Sequence, residues 1–380
     1  MKKFIIIVAM LSATSATSGG FEASRLDTKF MYEEGNYAEL SYSSINTDII
    51  TDALTSGAGA RTNQNAARDQ NRSAMAFKTS YGNLDIGLTR YKSGTIQLAG
   101  DAKAFGTDAT AFANNNGTVP ETDVNMNTLT LMAKYGLDDS LDILLGVNRN
   151  TLEDSTVTTT RGLYTITGES KTAAVIGFAY SKPEIGLRVE LLMQPSSKMN
   201  PNTSYAKSVY GNGVGAADVT SFASELSRPN TTTLNFQSGV TKDTLVFGSI
   251  HRTDWGSAQI DVPTDGNAQS KTGSQFWDTT TYTLGVARKI SDSLALTGSF
   301  AKETGGKDNS ASLFTVNNGY NAINIGARYS IGKVTISGGY NYTKLGDINI
   351  YANPATPTVS YASYKNNTVS AFGLKIGVNF

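Results

Sequence analysis

The chain has 380 residues, with 32 basic and 32 acidic side chains, one histidine and no cysteine. The lack of cysteine excludes disulfide scaffolds, thiolate metal sites and cysteine nucleophiles. A net charge of zero without any block of Lys or Arg argues against nucleic acid as a partner. The length alone allows two soluble domains, but no Pro-rich or Ser-rich linker and no shift in composition marks a boundary.

The N-terminus carries the three parts of a secretory signal peptide. Lys2 and Lys3 form a charged start, residues 4–11 an apolar run of eight, and residues 12–20 a stretch of mostly small residues. The apolar run is too short for a membrane helix, which needs about 20 residues. We therefore expect residues 1–18 to be a signal peptide and the protein to be exported.

Residues 19–35 show no clean period, and we expect a short N-terminal hatch or plug segment that lies in a lumen. From residue 36 to 380 the chain repeats the alternation of apolar and polar residues that is typical of β-strands. In the first strand, for example, Leu40 and Tyr42 face one side and Glu39 the other. The pattern predicts fourteen strands, at 36–44, 73–81, 84–91, 128–135, 141–150, 172–180, 185–194, 231–240, 245–260, 276–289, 294–302, 321–331, 334–351 and 366–380.

Short turns alternate with long connections between these strands. Gly82-Asn83 is a typical hairpin dipeptide, whereas long loops are predicted near residues 92–127 and 195–230. Within the second loop, residues 218–228 predict a short helix with Asp218 as its N-cap. Short periplasmic turns and long extracellular loops are typical of outer-membrane barrels. The even strand count then places both termini on the periplasmic side.

The last strand gives the sharpest pattern. Phe372, Leu374, Ile376, Val378 and Phe380 fall on one face, and small or polar residues fall on the other. Alternation alone would also fit a strand of a soluble sandwich. An apolar face opposite a small and polar one, repeated over about 10 residues per strand, favours lipid outside and water inside. The sequence therefore predicts an all-β fold, a transmembrane antiparallel up-and-down β-barrel with a short N-terminal luminal segment.

From about residue 230 the chain resembles the FadL/TodX family of outer-membrane transporters for long-chain fatty acids and other hydrophobic compounds. The resemblance is carried by residues 246–256 (VFGSIHRTDWG), 276–285 (FWDTTTYTLG) and 340–345 (YNYTKL), and by long loops after the third and seventh strands. It implies a monomeric barrel blocked by an N-terminal hatch. It also implies a substrate groove between the long loops, a deeper pocket, and a kink in the third strand that opens the wall sideways.

Two sets of residues are candidates for binding a fatty acid, which needs a cation for its carboxylate and an apolar surface for its chain. Inward-facing cations by strand parity are Lys78, Lys134, Arg188, Arg328 and Lys375, with Glu39 and Glu190 as possible counter-charges. Apolar loop residues that could capture the substrate are Leu98, Phe105, Phe112, Val219, Phe222 and Leu226, together with Ile96 and Val119. The alternatives are a ladder of paired charges in a wet lumen, and long loops that pack on themselves.

Neither a catalytic group, a metal site nor a cofactor is predicted. His251 is the only histidine that a Ser–His arrangement could use, and the glycine-rich stretch 211–215 lacks the Lys-Ser/Thr of a nucleotide site. The expected function is passive uptake of hydrophobic molecules across a Gram-negative outer membrane, and the family resemblance implies long-chain fatty acids as the cargo. The alternatives are a general diffusion porin and a structural barrel. Expected partners are outer-membrane lipid, lipopolysaccharide and the barrel assembly machinery, which would bind at Phe380.

Overall fold

The computed structural model describes residues 20–53, 65–98, 121–159, 162–207, 219–264, 267–306, 308–310, 312, 314–351 and 360–380. The predicted signal peptide, and Phe105, Phe112 and Val119 of the predicted substrate-capturing loop, lie outside the described residues. Within the described ranges, no helix is long and apolar enough to cross a membrane.

Fourteen antiparallel strands close into one up-and-down barrel, which confirms the predicted fold. The strands are β1 Tyr37–Asp48, β2 Gln70–Tyr81, β3 Leu84–Ile96, β4 Glu121–Gly136, β5 Leu141–Leu152, β6 Glu169–Lys182, β7 Leu187–Gln194, β8 Thr231–Thr241, β9 Thr244–Thr253, β10 Thr279–Lys289, β11 Leu294–Glu303, β12 Tyr320–Ile331, β13 Val334–Leu345 and β14 Thr368–Asn379. Each strand pairs with the next along the chain, and β1 pairs with β14 from Tyr37↔Asn379 to Asp48↔Thr368. Closure leaves no open sheet edge, as a β structure in hydrocarbon requires.

The two faces of the wall differ as the alternation predicts. In β14, Phe372 is 55% exposed and Leu374 and Ile376 are also exposed, whereas Ala371 and Lys375 are buried inside the barrel. The same division holds for exposed apolar side chains on other strands, among them Leu40, Tyr42, Met75, Phe77, Leu131, Leu145, Phe178, Leu284, Phe300, Ile323 and Ile325. The outside of the barrel is therefore an apolar belt suited to lipid.

Several strand limits differ from the prediction. β4 begins at Glu121, seven residues before the predicted start, and so takes in part of the predicted long loop. β9 ends at Thr253, and a 3₁₀ turn at Trp255–Ser257 follows it. This turn is held where the Asp278 carboxylate accepts a hydrogen bond from the Gly256 N–H, at 2.8 Å. A side chain just before the neighbouring strand β10 thus ends β9 earlier than local alternation indicates.

The turns are short at the end of the barrel that holds both termini. Gly82 takes a φ of +60° in the predicted hairpin between β2 and β3, a conformation that favours glycine. At the other end the connections are long, and short strands form further sheets there. These strands are Thr51–Ala53, Ser155–Thr159, Gly162–Ile166, Ser197–Met199, Asn202–Lys207, Val219–Ala223, Leu226–Arg228, Asp261–Thr264, Asn267–Gly273, Asn309–Ser310, Ile348–Tyr351 and Ser360–Tyr364.

The predicted helix at residues 218–228 is wrong. Val219–Ala223 and Leu226–Arg228 are strands, and Asp218 lies outside the described residues. The first pairs with Asn202–Lys207 and the second with Ser197–Met199. These ladders satisfy the backbone N–H and C=O groups, and the β-branched Val219 and Thr220 favour a strand over a helix.

Residues 20–36, here called the luminal segment, run inside the barrel. Near the start, the Ala23 N–H donates to the Ser93 carbonyl of β3 at 2.9 Å, and the Thr95 N–H donates to the Phe21 carbonyl at 2.8 Å. A 3₁₀ turn at Lys29–Tyr32 buries Phe30 and Met31 among inward-facing residues of the wall. The core of the molecule therefore lies in the lumen, where the luminal segment meets the inner face of the strands.

Candidate binding site in the barrel lumen

The first anchor of the luminal segment is an aromatic cluster. The ring centroid of Phe21 lies 5.0 Å from that of Trp255 and 6.3 Å from that of Phe276. All three side chains are at least 95% buried. They belong to a large apolar cluster, here called the apolar core, which also includes Leu98 and Leu226. Burial of one such ring contributes about 1.5–3 kcal/mol.

A buried polar network lies next to Phe21. Glu22 forms an ion pair with Arg25 at 2.7 Å and contacts Nε2 of His251 at 3.3 Å. Arg25 also donates to the Thr281 hydroxyl at 2.9 Å, and it lies 3.9 Å from Glu303. Burial would raise the pKa of Glu22, but Arg25 and His251 outweigh it and hold that pKa well below the usual value of 4.5. Glu22 is therefore a carboxylate at neutral pH.

The middle of the luminal segment is held by Glu190 of β7. Its carboxylate accepts hydrogen bonds from Thr28 at 2.6 Å, from Tyr32 at 2.7 Å and from the Asn235 amide at 3.0 Å. Burial and the Glu190 charge hold the pKa of Tyr32 well above its usual value of 10.0. Tyr32 therefore remains a protonated donor, and the segment is fixed to β7 and β8.

The structure places all five predicted cations on the inner side of the wall, but it separates them into two groups. Lys78 and Lys134 meet at Asp85, at 3.6 and 2.8 Å, and Lys78 also donates to the Glu33 carbonyl. Lys134 lies 3.7 Å from Asp142 as well. These two lysines are thus already neutralised by carboxylates of the wall.

The other three cations contact the luminal segment. Arg188 stacks on the Tyr32 ring, with its guanidinium carbon 3.8 Å from the ring centroid. Arg328 forms an ion pair with Glu33 at 3.3 Å. Lys375 lies 3.1 Å from Glu39 and 3.9 Å from Asp27. The contacts match the alternative of a charge ladder, with the added feature that the luminal segment supplies several of the partners.

The described residues of the predicted loop patch belong to the apolar core or pack against it. Leu98 and Leu226 are buried in the apolar core, and Phe222 is half-buried and packs against it. Val219 belongs to a strand, but its side chain, like Phe105 and Phe112, lies outside the described part. The packing therefore brings Leu98, Phe222 and Leu226 together as the inner lining of the extracellular connections.

A sixth cation, Arg228, differs from the five that parity predicts. It is 93% buried, and no carboxylate in the described part of the chain lies within 4.0 Å of it. Its Nη2 donates to the Gln194 amide oxygen at 2.8 Å, whereas its Nη1 has no hydrogen-bond partner. A buried donor of this kind, on a charged group, costs about 1–3 kcal/mol or more. Sequence alternation missed Arg228 because it lies in the predicted long loop.

Other buried polar groups close to Arg228 in the sequence have spare hydrogen-bonding capacity. Among the described residues, the hydroxyls of Thr231 and Ser224 are buried and have no hydrogen-bond partner. The Tyr91 hydroxyl is likewise buried and has no hydrogen-bond partner among the described residues. The region can therefore offer a guanidinium and hydroxyls to an anionic group.

The barrel wall is interrupted between β2 and β3. Their pairing ends at Met75↔Arg90, although both strands continue beyond it. On its other side β3 has a register shift between Lys92 and Gly94, because Ser93 is an extra residue opposite β4. A cavity of about 100 Å³ lies at this point, and its lining includes the outward-facing Tyr42 and Met75 and the inward-facing Arg25 and Lys375.

Solved structures share the fold of this closed, fourteen-stranded barrel. A Pseudomonas aeruginosa FadL homologue matches with a TM-score of 0.74 and 12% identity, over 93% of this chain and 92% of that one. The Pseudomonas putida toluene transporter TodX matches with a TM-score of 0.62 and 11% identity, over 96% of both chains. The Ralstonia pickettii toluene transporter TbuX gives 0.58 and 12%, over 97% and 98%.

The resemblance to the FadL and TodX structures is therefore confirmed at the level of the fold, along more than nine tenths of the chain. No protein-family model and no curated protein matches the sequence. At 10–12% identity the shared feature is the architecture, and the side chains of the lumen are this chain's own.

Proposed function

We propose that this protein takes up hydrophobic molecules that carry an acidic end group, such as long-chain fatty acids, passively across the outer membrane of a Gram-negative bacterium. Arg228 is the observation that carries the proposal. It offers a free guanidinium N–H beside an apolar core, so it suits a ligand with a carboxylate at one end and a hydrocarbon chain at the other. An Arg–carboxylate pair gains charge-assisted, often bidentate, hydrogen bonds.

The five cations predicted from the sequence are less suited to the carboxylate. Lys78, Lys134, Arg328 and Lys375 already face acidic side chains, and Arg188 is covered by the Tyr32 ring. A substrate would have to displace those partners. We assign them to holding the luminal segment and the wall together, which makes that segment a plug.

The interrupted wall between β2 and β3 supplies an exit for an apolar molecule. Its cavity joins outward-facing Met75 to the lumen side at Arg25, so a hydrocarbon chain could leave sideways into the lipid without crossing the charged lower lumen. This fits the sideways opening that the family resemblance implies.

Two other functions are disfavoured by particular observations. A general diffusion porin needs a wet bore, whereas Phe21, Phe30 and Met31 of the luminal segment are buried inside the barrel. TodX and TbuX are named as toluene transporters. A channel for such a neutral aromatic compound does not need a buried arginine without an acidic partner.

Because the barrel closes on itself, we propose that it works as a monomer.

The test is binding of labelled oleate to the purified barrel and to an Arg228→Gln variant. Loss of a charge-assisted hydrogen bond of about 1.5–3 kcal/mol predicts about 10- to 100-fold weaker oleate binding, with binding of toluene unchanged. The matched control is Arg149→Gln, because Arg149 is exposed on the outer face of β5. Equal oleate affinity in all three proteins would contradict the role of Arg228.

The same substrate is tested in cells. A deletion strain is expected to grow poorly on oleate as the sole carbon source, and the wild-type gene should restore growth where the Arg228→Gln gene restores it only in part. Normal growth of the deletion strain together with no saturable oleate binding would rule out fatty acids as the cargo.

A further inference from the structure

Exposed cations on the outer face of the barrel are distributed unevenly between its two ends. Among the described residues, those near the extracellular ends of the strands are Arg90, Arg149, Arg252, Lys302 and Lys344. Those near the periplasmic ends are Lys182 and Arg288. Their outward direction follows from the register, because each lies on the same side of its strand as the exposed apolar residues. Positive charge is thus concentrated where the wall leaves the outer leaflet.

Two of these cations form a matched pair. Lys302 of β11 lies opposite Asn321 of β12, which in turn lies opposite Lys344 of β13. All three side chains are exposed. Adjacent strands are about 4.8 Å apart, so the two lysine backbones are separated by about 10 Å with an amide between them. Flexible lysine side chains can converge from this distance on one anionic group.

The Lys302–Lys344 pair lacks an acidic partner. In the described part of the chain no carboxylate lies within 4.0 Å of either ammonium group, whereas Arg252 is bound by Asp254 at 3.0 Å and by Asp278 at 3.1 Å. An exposed pair of uncompensated charges attracts anions, and the attraction falls off within a Debye length of about 10 Å. The ligand must therefore come from the headgroup layer next to the wall.

Aromatic side chains lie beside the pair and on its membrane side. Tyr282 lies opposite Lys302 in β10, and Tyr342 comes two residues before Lys344 on the same face of β13. Both rings are exposed, at 49% and 46%. Tyrosines of this kind lie at the boundary between hydrocarbon and headgroups. By contrast, Arg90 and Arg149 flank the aliphatic Leu129, so the Lys302–Lys344 pair is the better-defined site.

We propose that Lys302, Asn321 and Lys344, with Tyr282 beside them and Tyr342 beneath them, form a binding site for the phosphate groups of lipopolysaccharide in the outer leaflet. The ammonium groups bind phosphate oxygens as point charges, the Asn321 amide can donate a further hydrogen bond, and the rings contact the start of the acyl region. The site rests on the outer-membrane location but not on the nature of the cargo, because it lies on the face opposite the lumen.

The test compares a Lys302→Gln/Lys344→Gln double variant with the wild-type barrel, both freed of lipid in detergent. A juxtamembrane cation contributes about 1 kcal/mol to binding an anionic surface, so loss of two predicts roughly 30-fold weaker binding of labelled lipopolysaccharide. The matched control is Lys182→Gln/Arg288→Gln, which removes two outward cations at the other end and should bind as the wild type does. Lipopolysaccharide stripped of its phosphates should bind the wild type as weakly as it binds the double variant.

Equal affinity of the wild type and the Lys302→Gln/Lys344→Gln variant would overturn the proposal. So would equal loss in both double variants, tight binding of phosphate-free lipopolysaccharide, or competition by millimolar inorganic phosphate alone. Oleate binding by the Lys302→Gln/Lys344→Gln variant is measured in parallel and should be unchanged. Loss of lipopolysaccharide binding with normal oleate binding supports this site independently, whereas failure of oleate binding in every protein would contradict only the proposed cargo.

Discussion

Glu22 connects the luminal segment to β9 and, through Arg25, to β10 and β11. Its carboxylate holds Arg25 and His251, and Arg25 extends the contact to Thr281 and Glu303. Because the pKa of Glu22 in the folded protein lies below its usual value of 4.5, the charged form stabilises the fold. This contribution is fully present above pH 4.5 and is lost as the pH falls toward the folded-state pKa.

We therefore predict that Glu22→Gln loosens the luminal segment at neutral pH but has less effect in acid. Loss of the buried ion pair should cost about 1–3 kcal/mol at pH 7, seen as faster backbone hydrogen exchange at residues 20–26. Between pH 4.5 and pH 3 the exchange rates of wild type and variant should converge. A difference that stays constant over this range would contradict the assignment of Glu22 as the titrating group.

Strand parity could predict which charges face the lumen, and the inward positions of Lys78, Lys134 and Lys375 illustrate this. It could not predict their partners, since the luminal segment shows no period in the sequence. The burial of Arg228 could not be predicted from the sequence, for another reason. Its place depends on the pairing of Leu226–Arg228 with Ser197–Met199, 31 residues earlier at the Ser197↔Arg228 contact, and single-sequence patterns carry no information about such pairs.

At the scale of elements, glycines on the inner face of β3 leave the space in which side chains of the luminal segment pack. Gly87 leaves room for Phe30 and Met31, and Gly94 leaves room for Phe21. A side chain at either position would strike these buried residues. The luminal segment therefore packs against these glycines of β3.

Gly87→Leu should displace the luminal segment without preventing closure of the barrel. Overpacking of this kind costs about 1–3 kcal/mol, and we expect it to appear as faster hydrogen exchange in residues 20–36 and as higher ion conductance in planar bilayers. Gly298→Leu is the matched control, because a Cβ at Gly298 would meet nothing within 4 Å. Low conductance in both variants would show that the segment does not block the lumen.

Alternation predicted the barrel strands because each has lipid on one side and the lumen on the other, an environment with a strict period of two. It failed where a segment has no such contrast. Residues 219–228 pack beyond the membrane belt, and there the backbone pairing with neighbouring strands decides the structure. The early end of β9 at Thr253 has a similar cause, since Asp278, just before β10, fixes the turn.

At the scale of the whole molecule, the interior is divided into layers. The apolar core with Phe21 and Trp255 lies toward the extracellular connections, and paired charges such as Arg328–Glu33 lie toward the termini. Arg228 follows Leu226 of the apolar core by two residues, and the wall is interrupted between β2 and β3. Such an interior fits the proposed cargo, a molecule with a hydrocarbon chain and a carboxylate at one end. It does not fit sugars.

The most direct test of this account is a single measurement on proteoliposomes that contain the wild-type protein, with labelled oleate and a small sugar offered together. The packed lumen and the sideways exit predict saturable transfer of oleate with no sugar entry above that of empty liposomes. Sugar entry at porin-like rates without saturable oleate transfer would contradict the account, because it would require an open aqueous bore where the luminal segment and the apolar core lie.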